Sequence, residues 1–381
     1  MKVKKMPKKL KTPLLVVEPS IPSYEEYCEE IKSIWKAKWL TNNGPLHNKL
    51  GSELEKFLKV PNVTLFVNGH SALDCAMKCL REEKGDGEII MTPFTFVSTN
   101  HAAFMNGFTP VFCDIKSSDY TIDEDKIEDL ITDKTVAILA THVYGYPCNV
   151  EKIGKIAKKH KLKIIYDAAH AFGVELDGKT IGNYGDISMF SFHATKVFNT
   201  IEGGALAYGD SKLRQKFDRI KDFGIAGAEN ITSVGLNAKM NEFQAAMGLV
   251  NLKNVKKNIN TRKKAVQLYY KLLSKIPGIV LADLKKDVKY NYAYMPILID
   301  EKEFGMDRNQ LYDKLVECNI FARKYFYPLI SNIDVYKKFK ANVPVANYTS
   351  DRILCLPLFG HITEENVKNV CETIKAIKDE R

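Results

Sequence analysis

Near the start of the chain, apolar positions recur with helical spacing. In SYEEYCEEIKSIWKAKWL (residues 23–40), Tyr27, Ile31, Ile34 and Trp35 share one face, and Ser23 with Glu26 makes a capping-box pattern. This predicts an amphipathic helix that ends before the turn TNNGP, followed by a second helical stretch from Leu50 to Leu58. Short apolar runs then alternate with helical periodicity: VTLFVNG and HSALDCAMKCL, EIIMTPF and STNHAAFMNG, PVFCDI, a helix-like DEDKIEDLI, TVAILATHVYG, VEKIGKIAKKHK, KIIYDAAH, DISMFSFH and ALAYG. That rhythm gives about seven strands before residue 210 and predicts an α/β fold with a mostly parallel sheet covered on both faces.

From Lys212 to Lys257 the pattern turns helical, with AKMNEFQAAMGLVNLKNV apolar on one side, and a further helix from Thr261 to Ile276 closes at Pro277-Gly278. Short strands in NYAYMPILID and NIFARKYF and two terminal helices then suggest a smaller α+β unit. The expected organisation is a basic tail over residues 1–12, a large α/β domain over 13–255 and a small C-terminal α+β domain over 256–381.

With 381 residues, 45% hydrophobic and 27% charged, the chain has a globular composition that excludes disordered, collagenous and disulfide-scaffold classes. The net charge of +10 suggests nucleic acid until its distribution is read. Lys2, Lys4, Lys5, Lys8, Lys9 and Lys11 contribute six of those charges, leaving +4 for the rest of the chain. The basicity is a tail, expected to be solvated and poorly ordered, and no nucleic-acid partner is assigned to it. No run of 18 apolar residues suits a membrane span and the N-terminus lacks an apolar secretory core, so a cytoplasmic protein without a membrane partner is expected. Eight cysteines are scattered without a C-x-x-C pair and read as reduced thiols, with Cys75 and Cys79 in a core stripe. No metal site is expected, since His170 and His193 lack ligand spacing.

Three segments carry candidate chemistry. Asn68-Gly69-His70-Ser71-Ala72 lies where a strand gives way to a helix, so free N–H groups and a glycine that permits close approach could hold a phosphate. Lys163–His170 is an apolar strand delivering Asp167 at its C-terminal end, where open α/β sheets bind ligands; a cap or buried acceptor explains such an aspartate equally well. Lys196 lies between the apolar strand DISMFSF and the glycine pair that leads into ALAY, which places it in the interior, where a lysine loses its proton more readily and can attack an aldehyde. Phosphate cup, strand-end carboxylate and buried lysine are together what pyridoxal 5′-phosphate requires.

At these positions the chain resembles the sugar-nucleotide aminotransferases of the DegT/DnrJ/StrS type. TNNGP, NGHSAL, TPFTFVST, PVFCDI, HVYGYPCNV, YDAAHAFG, SFHATKVFNTIEGGAL and GLNAKMNEFQAAMGL stand in that family's order, and the likeness covers roughly residues 13–381. The resemblance implies the fold type I, aspartate aminotransferase-like architecture. Lys196 matches the lysine that bonds the cofactor's aldehyde and shuttles the proton, and Asp167 the carboxylate that keeps the ring nitrogen protonated. Phe96 matches the aromatic on the ring face, His170 the residue beside the cofactor's 3-oxygen, and Ser191 with Gly69, His70 and Ser71 the phosphate ligands. Asn237, with Lys239 beside it, matches a residue that reaches the neighbouring subunit's cofactor, which implies a homodimer with shared sites. Tyr325, in FARKYFYPL, lies in a substrate-contacting segment.

The motif around Lys196 looks like the branch that aminates C4 of dTDP-4-keto-6-deoxy-D-glucose with L-glutamate as donor. Amination at C3, or of a UDP-sugar, is the alternative within the family. A dehydratase on the same fold carries histidine in place of the lysine, and a non-catalytic binding protein would lack Lys196 or Asp167; both residues are present here.

Overall fold

The computed structural model describes residues 9–379. Helix α1 (Tyr24–Ala37) starts on the Ser23–Glu26 capping box. Helix α2 (Pro45–Leu58) begins at Pro45, ahead of the predicted Leu50: proline is preorganised for a first turn, and the carboxylate of Glu242 accepts the N–H groups of Leu46 and His47 at 2.8 Å each. That cap comes from the far side of the sequence, so local periodicity does not show it.

The central sheet is built from β1 (Asn62–Phe66), β2 (Glu88–Met91), β3 (Thr109–Phe112), β4 (Thr135–Thr141), β5 (Lys163–Asp167), β6 (Ile187–Ser191) and β7 (Gly204–Tyr208). Their order is β1-β7-β6-β5-β4-β2-β3, and every pairing is parallel except those of β7, which runs antiparallel to both neighbours. The strands are buried on both faces, as continuous apolar runs require. Helices α3 (Gly69–Lys84), α4 (Val97–Met105) and α5 (Val150–His160) follow β1, β2 and β4, so their N-termini all lie at the C-terminal edge of the sheet. In register, Asp167 of β5 sits between Thr141 of β4 and Met189 of β6.

Three predicted elements differ. DEDKIEDLI forms only a 3₁₀ turn over Glu128–Leu130. Asp123 N–H bonds the carbonyl of Asp114, its carboxylate takes the N–H of Asp125, and Lys126 pairs at 3.1 Å with the buried Asp114. These contacts hold the segment against residues 113–115 and satisfy its backbone outside a helix. The stretch from Lys212 is interrupted: α6 (Lys212–Ile220) gives way to a hairpin pairing Ile225–Gly227 with Asn230–Ile231. The third difference is α7 (Glu242–Leu273), one continuous helix of 32 residues where two were expected. Asn258, Asn260 and Thr261 are poor helix formers but not breakers, and packing on both sides carries the helix through them.

Helix α7 joins two apolar cores. Its Ala245, Ala246 and Leu249 belong to the core around the sheet, whereas Ala265, Val266, Tyr269 and Leu273 belong to a second core. The latter is built on an antiparallel sheet of Ile279–Leu281, Met295–Ile299 and Ile353–Leu356, with the helices Arg308–Glu317 and Glu364–Asp379. The expected boundary at 255/256 thus falls inside α7. Of the basic tail, residues 1–8 lie outside the described part. Leu10 is already fixed, its N–H bonding the carbonyl of Cys318 at 3.0 Å, and Leu14–Leu15 pairs in parallel with Ile320–Phe321, so Leu14 packs in the second core. No described helix is long and apolar enough to cross a membrane.

Candidate active site

At the C-terminal edge of the sheet lies a cavity of about 360 Å³. Gly69, His70, Phe96, Asp167, His170, Ser191, Lys196 and Tyr325 all line it. Ser71 does not; its backbone N–H bonds the Asn68 Oδ1 cap at 2.7 Å. That cap and the bond from Ala72 N–H to the Asn68 carbonyl leave the N–H groups of Gly69 and His70 without an intrahelical partner. Glycine is needed here, since a Cβ on Gly69 would stand 2.9 Å from Cβ of Ser191. Gly204 serves the same turn from β7, where a Cβ would meet the Asn68 carbonyl at 2.6 Å. The result is a concave surface of backbone donors and the Ser191 hydroxyl, suited to an anion.

Asp167 is 4% exposed. Its Oδ1 accepts the N–H of Ala169 at 3.0 Å and its Oδ2 the hydroxyl of Thr99 at 2.5 Å. Burial holds its pKa above the usual aspartate value, and the two donors and the Lys196 charge offset only part of that. His170, three residues on, accepts the N–H of Tyr144 at Nδ1 (3.0 Å). Its neutral ring therefore carries its proton on Nε2. Burial, and then Lys196, hold it well below the usual histidine range, so it stays neutral. The ring stacks on Phe326, centroids 5.9 Å apart and 4° from parallel.

Lys196 lies in the turn after β6, its N–H on the carbonyl of His193. Burial lowers its pKa to about 8, with Asp167 opposing and Arg323 assisting. Roughly a tenth of the lysine is therefore unprotonated at pH 7. No described residue takes its ammonium in a hydrogen bond or ion pair. A charge buried at this cost gives a measurable signature. Because the folded pKa of about 8 lies below the ordinary 10.5 of the unfolded chain, the cost is full below pH 8 and disappears as pH rises to 10.5. The cofactor-free Lys196→Met protein is expected to be more stable than the parent below pH 8, by at most about 3 kcal/mol, and to lose that advantage by pH 10.5. Urea titrations across this range check it; an advantage independent of pH would refute the buried charge.

Phe96 is half exposed and forms a wall of the cavity at the start of α4. Opposite, Arg323 lies over the ring of Tyr325 at 4.0 Å and is held by paired backbone bonds to Cys355. Asn237 and Lys239 do not reach this cavity. Asn237 pairs with Asp222 through the backbone and is exposed, while Lys239 forms an ion pair with Asp222 and lies 5.0 Å from the centroid of the Phe223 ring. The sequence reading missed Arg323 and the buried threonines 95, 99 and 141. The i, i+4 spacing of Thr95 and Thr99 in TPFTFVST was a usable signal, and Arg323 stands in the segment quoted for Tyr325.

The model of the DegT/DnrJ/EryC1/StrS aminotransferase family matches residues 23–375. The chain belongs to this family. It is 44% identical over 366 residues to a dTDP-4-amino-4,6-dideoxy-D-glucose transaminase of Escherichia coli, covering 94% of this chain and 97% of that one. An enzyme of the same description from Shigella dysenteriae is 40% identical, covering 97% and 100%. Among solved structures, DesI in the presence of its TDP-sugar product aligns with a TM-score of 0.92 at 30% identity, covering 98% of this chain and 94% of that one. Fold type I architecture and aminotransferase activity are properties of this aminotransferase, and the dehydratase and non-catalytic readings fall away.

Proposed function

We propose that this aminotransferase moves the amino group of L-glutamate to C4 of dTDP-4-keto-6-deoxy-D-glucose, giving dTDP-4-amino-4,6-dideoxy-D-glucose and 2-oxoglutarate. The observation that carries the reading is full-length identity of 40–44% to two transaminases of that description. Two GDP-perosamine synthases and a UDP-4-amino-4,6-dideoxy-N-acetyl-β-L-altrosamine transaminase stand further off, at 29–32% identity.

The cavity fits pyridoxal 5′-phosphate by the chemistry of its donors: free backbone N–H groups and a hydroxyl at one end, a buried carboxylate with no cation of its own at the other, and an unengaged lysine between. When bound, the cofactor supplies an aldehyde for the amine and a ring that takes up the electron pair left by the broken C–H bond. Gly69, His70 and Ser191 would hold the phosphate, Phe96 the ring face, and His170 Nε2–H the 3-oxygen. Asp167 would hold a proton on the ring nitrogen. Lys196 Nζ takes the proton from the α-carbon of glutamate and, in the second half-reaction, delivers one to C4 of the sugar; its lowered pKa suits both directions. Tyr325 would meet the substrate. The exposed Asn237, with Lys239, would complete the site of a second copy in a two-fold homodimer. The product suits surface-glycan synthesis of the O-antigen type in a bacterial cytoplasm.

An absorbance titration tests the reading. A band near roughly 410–420 nm in the cofactor-loaded protein is expected to shift to about 330 nm with glutamate and to return with the ketosugar. Failure of dTDP-4-keto-6-deoxy-D-glucose alone to restore the band would overturn the substrate, and a GDP- or UDP-linked ketosugar that restores it would name the replacement.

A further inference from the structure

Beside Asp167 three hydroxyls of the cavity lining form a row. Thr141, at the end of β4, donates to Thr95 at 3.2 Å; Thr95 and Thr99 are 3.0 Å apart; Thr99, on α4, donates to Asp167 Oδ2 at 2.5 Å. All are buried, at 3%, 3%, 1% and 4% exposure along the row. A hydroxyl has one proton. Thr99 spends its proton on Asp167, so in the Thr95–Thr99 contact the donor is Thr95, and Thr95, its own proton used, receives that of Thr141. The row has a single direction.

From that geometry we propose that Thr141, Thr95 and Thr99 form a one-way hydroxyl chain that holds Asp167 ionised, with Thr99 as the positioning residue and the other two as graded reinforcement. Two physical effects support it. A hydroxyl that already accepts a hydrogen bond donates more strongly, so each threonine polarises the next toward the carboxylate, and a contact of 2.5 Å lies in the range of charge-assisted O–H···O⁻ bonds. Acceptor strength supplies the other: an ionised carboxylate accepts the Thr99 hydroxyl and the Ala169 N–H more strongly than a carboxylic acid does, so both bonds favour the charged form. The chain thus favours the charge that burial opposes.

This rests on the role proposed above for Asp167, but its test does not need the cofactor. In cofactor-free protein carrying ¹³C-labelled aspartate carboxyls, the Asp167 signal is assigned by its absence in Asp167→Asn and followed against pH. Thr99→Val is expected to raise the midpoint by about one pH unit or more, a tenfold gain in proton affinity. Thr95→Val should raise it less and Thr141→Val least, whereas Thr99→Ser should stay near the parent. Lys196 also acts on Asp167, Arg323, His70 and His170 line the same cavity, and His142 donates its backbone N–H to the Asp167 carbonyl; all are the same in every variant. Circular dichroism selects the variants that fold, and Thr95→Ser and Thr141→Ser serve where valine does not, with midpoints expected near the parent. Equal shifts in all three valine variants, no shift in Thr99→Val, or a Thr99→Ser midpoint that follows valine would overturn the chain. In loaded enzyme, Thr99→Val should lower kcat and leave KM for glutamate within about twofold, a split that general loosening of the site would not give. Graded midpoints across the variants, with no glutamate-dependent spectral shift in the loaded parent, would sink the proposed function and leave the hydroxyl chain standing.

Discussion

Lys196→Ala is expected to stop turnover, by roughly 10⁴-fold or more, with the fold intact. Two tasks fall on the same Nζ: attachment at the aldehyde and carriage of a proton between donor and acceptor carbons. No other described group is placed to take them. His170 keeps its proton on the face turned from Tyr144 and is held neutral. The fold should survive because the lysine head makes no hydrogen bond or ion pair to lose, and its neighbours Val197 and Phe198 anchor the turn in the core. Single-turnover mixing with glutamate, alongside a thermal melt, separates the two statements. A variant that still turned over near the parental rate would remove Lys196 from the chemistry.

Asp167→Asn is expected to cut kcat on the order of 10²- to 10³-fold while changing cofactor affinity much less. Asparagine keeps the shape and an acceptor, but it has no charge with which to hold a proton on the ring nitrogen facing it. One consequence is local. The amide must turn an N–H₂ toward either the Ala169 N–H or the Thr99 hydroxyl, both donors to the carboxylate, and only the hydroxyl can rotate to accept. The amide oxygen should therefore stay on Ala169, and the threonine row should reverse. Steady-state rates with near-parental cofactor binding support the role; a rate within threefold of the parent would reject it.

How much of this was legible follows from where each signal lives. The seven strands were readable because each is a compact apolar run, and strand ends located Asp167 and the turn at Gly69. Lys196 could be separated from the many other lysines only because apolar strands flank it on both sides. What escaped depends on contacts far apart in sequence. The antiparallel placing of β7 between β1 and β6 leaves no trace in its own residues. DEDKIEDLI has helical periodicity, but its Asp114 partner lies outside the window. The start of α2 is set by Glu242, nearly two hundred residues on. Thr141 means nothing until β4 and β5 are paired in register. Asn237 and Lys239 came from family likeness alone, and one copy of the chain leaves them away from the cavity.

The continuous α7 also sets a rule for recombining this chain with relatives. Since a single helix enters both cores, they cannot be exchanged as cassettes joined at a loop; any splice near residue 256 is a splice within a helix. One inserted residue there would turn everything beyond it by about 100° and advance it by about 1.5 Å. Arg323 and Tyr325 would then no longer face Lys196. Chimeras that respect helical phase should assemble the cavity, whereas those matched only by sequence length at the join should fold two sound halves around a dispersed one.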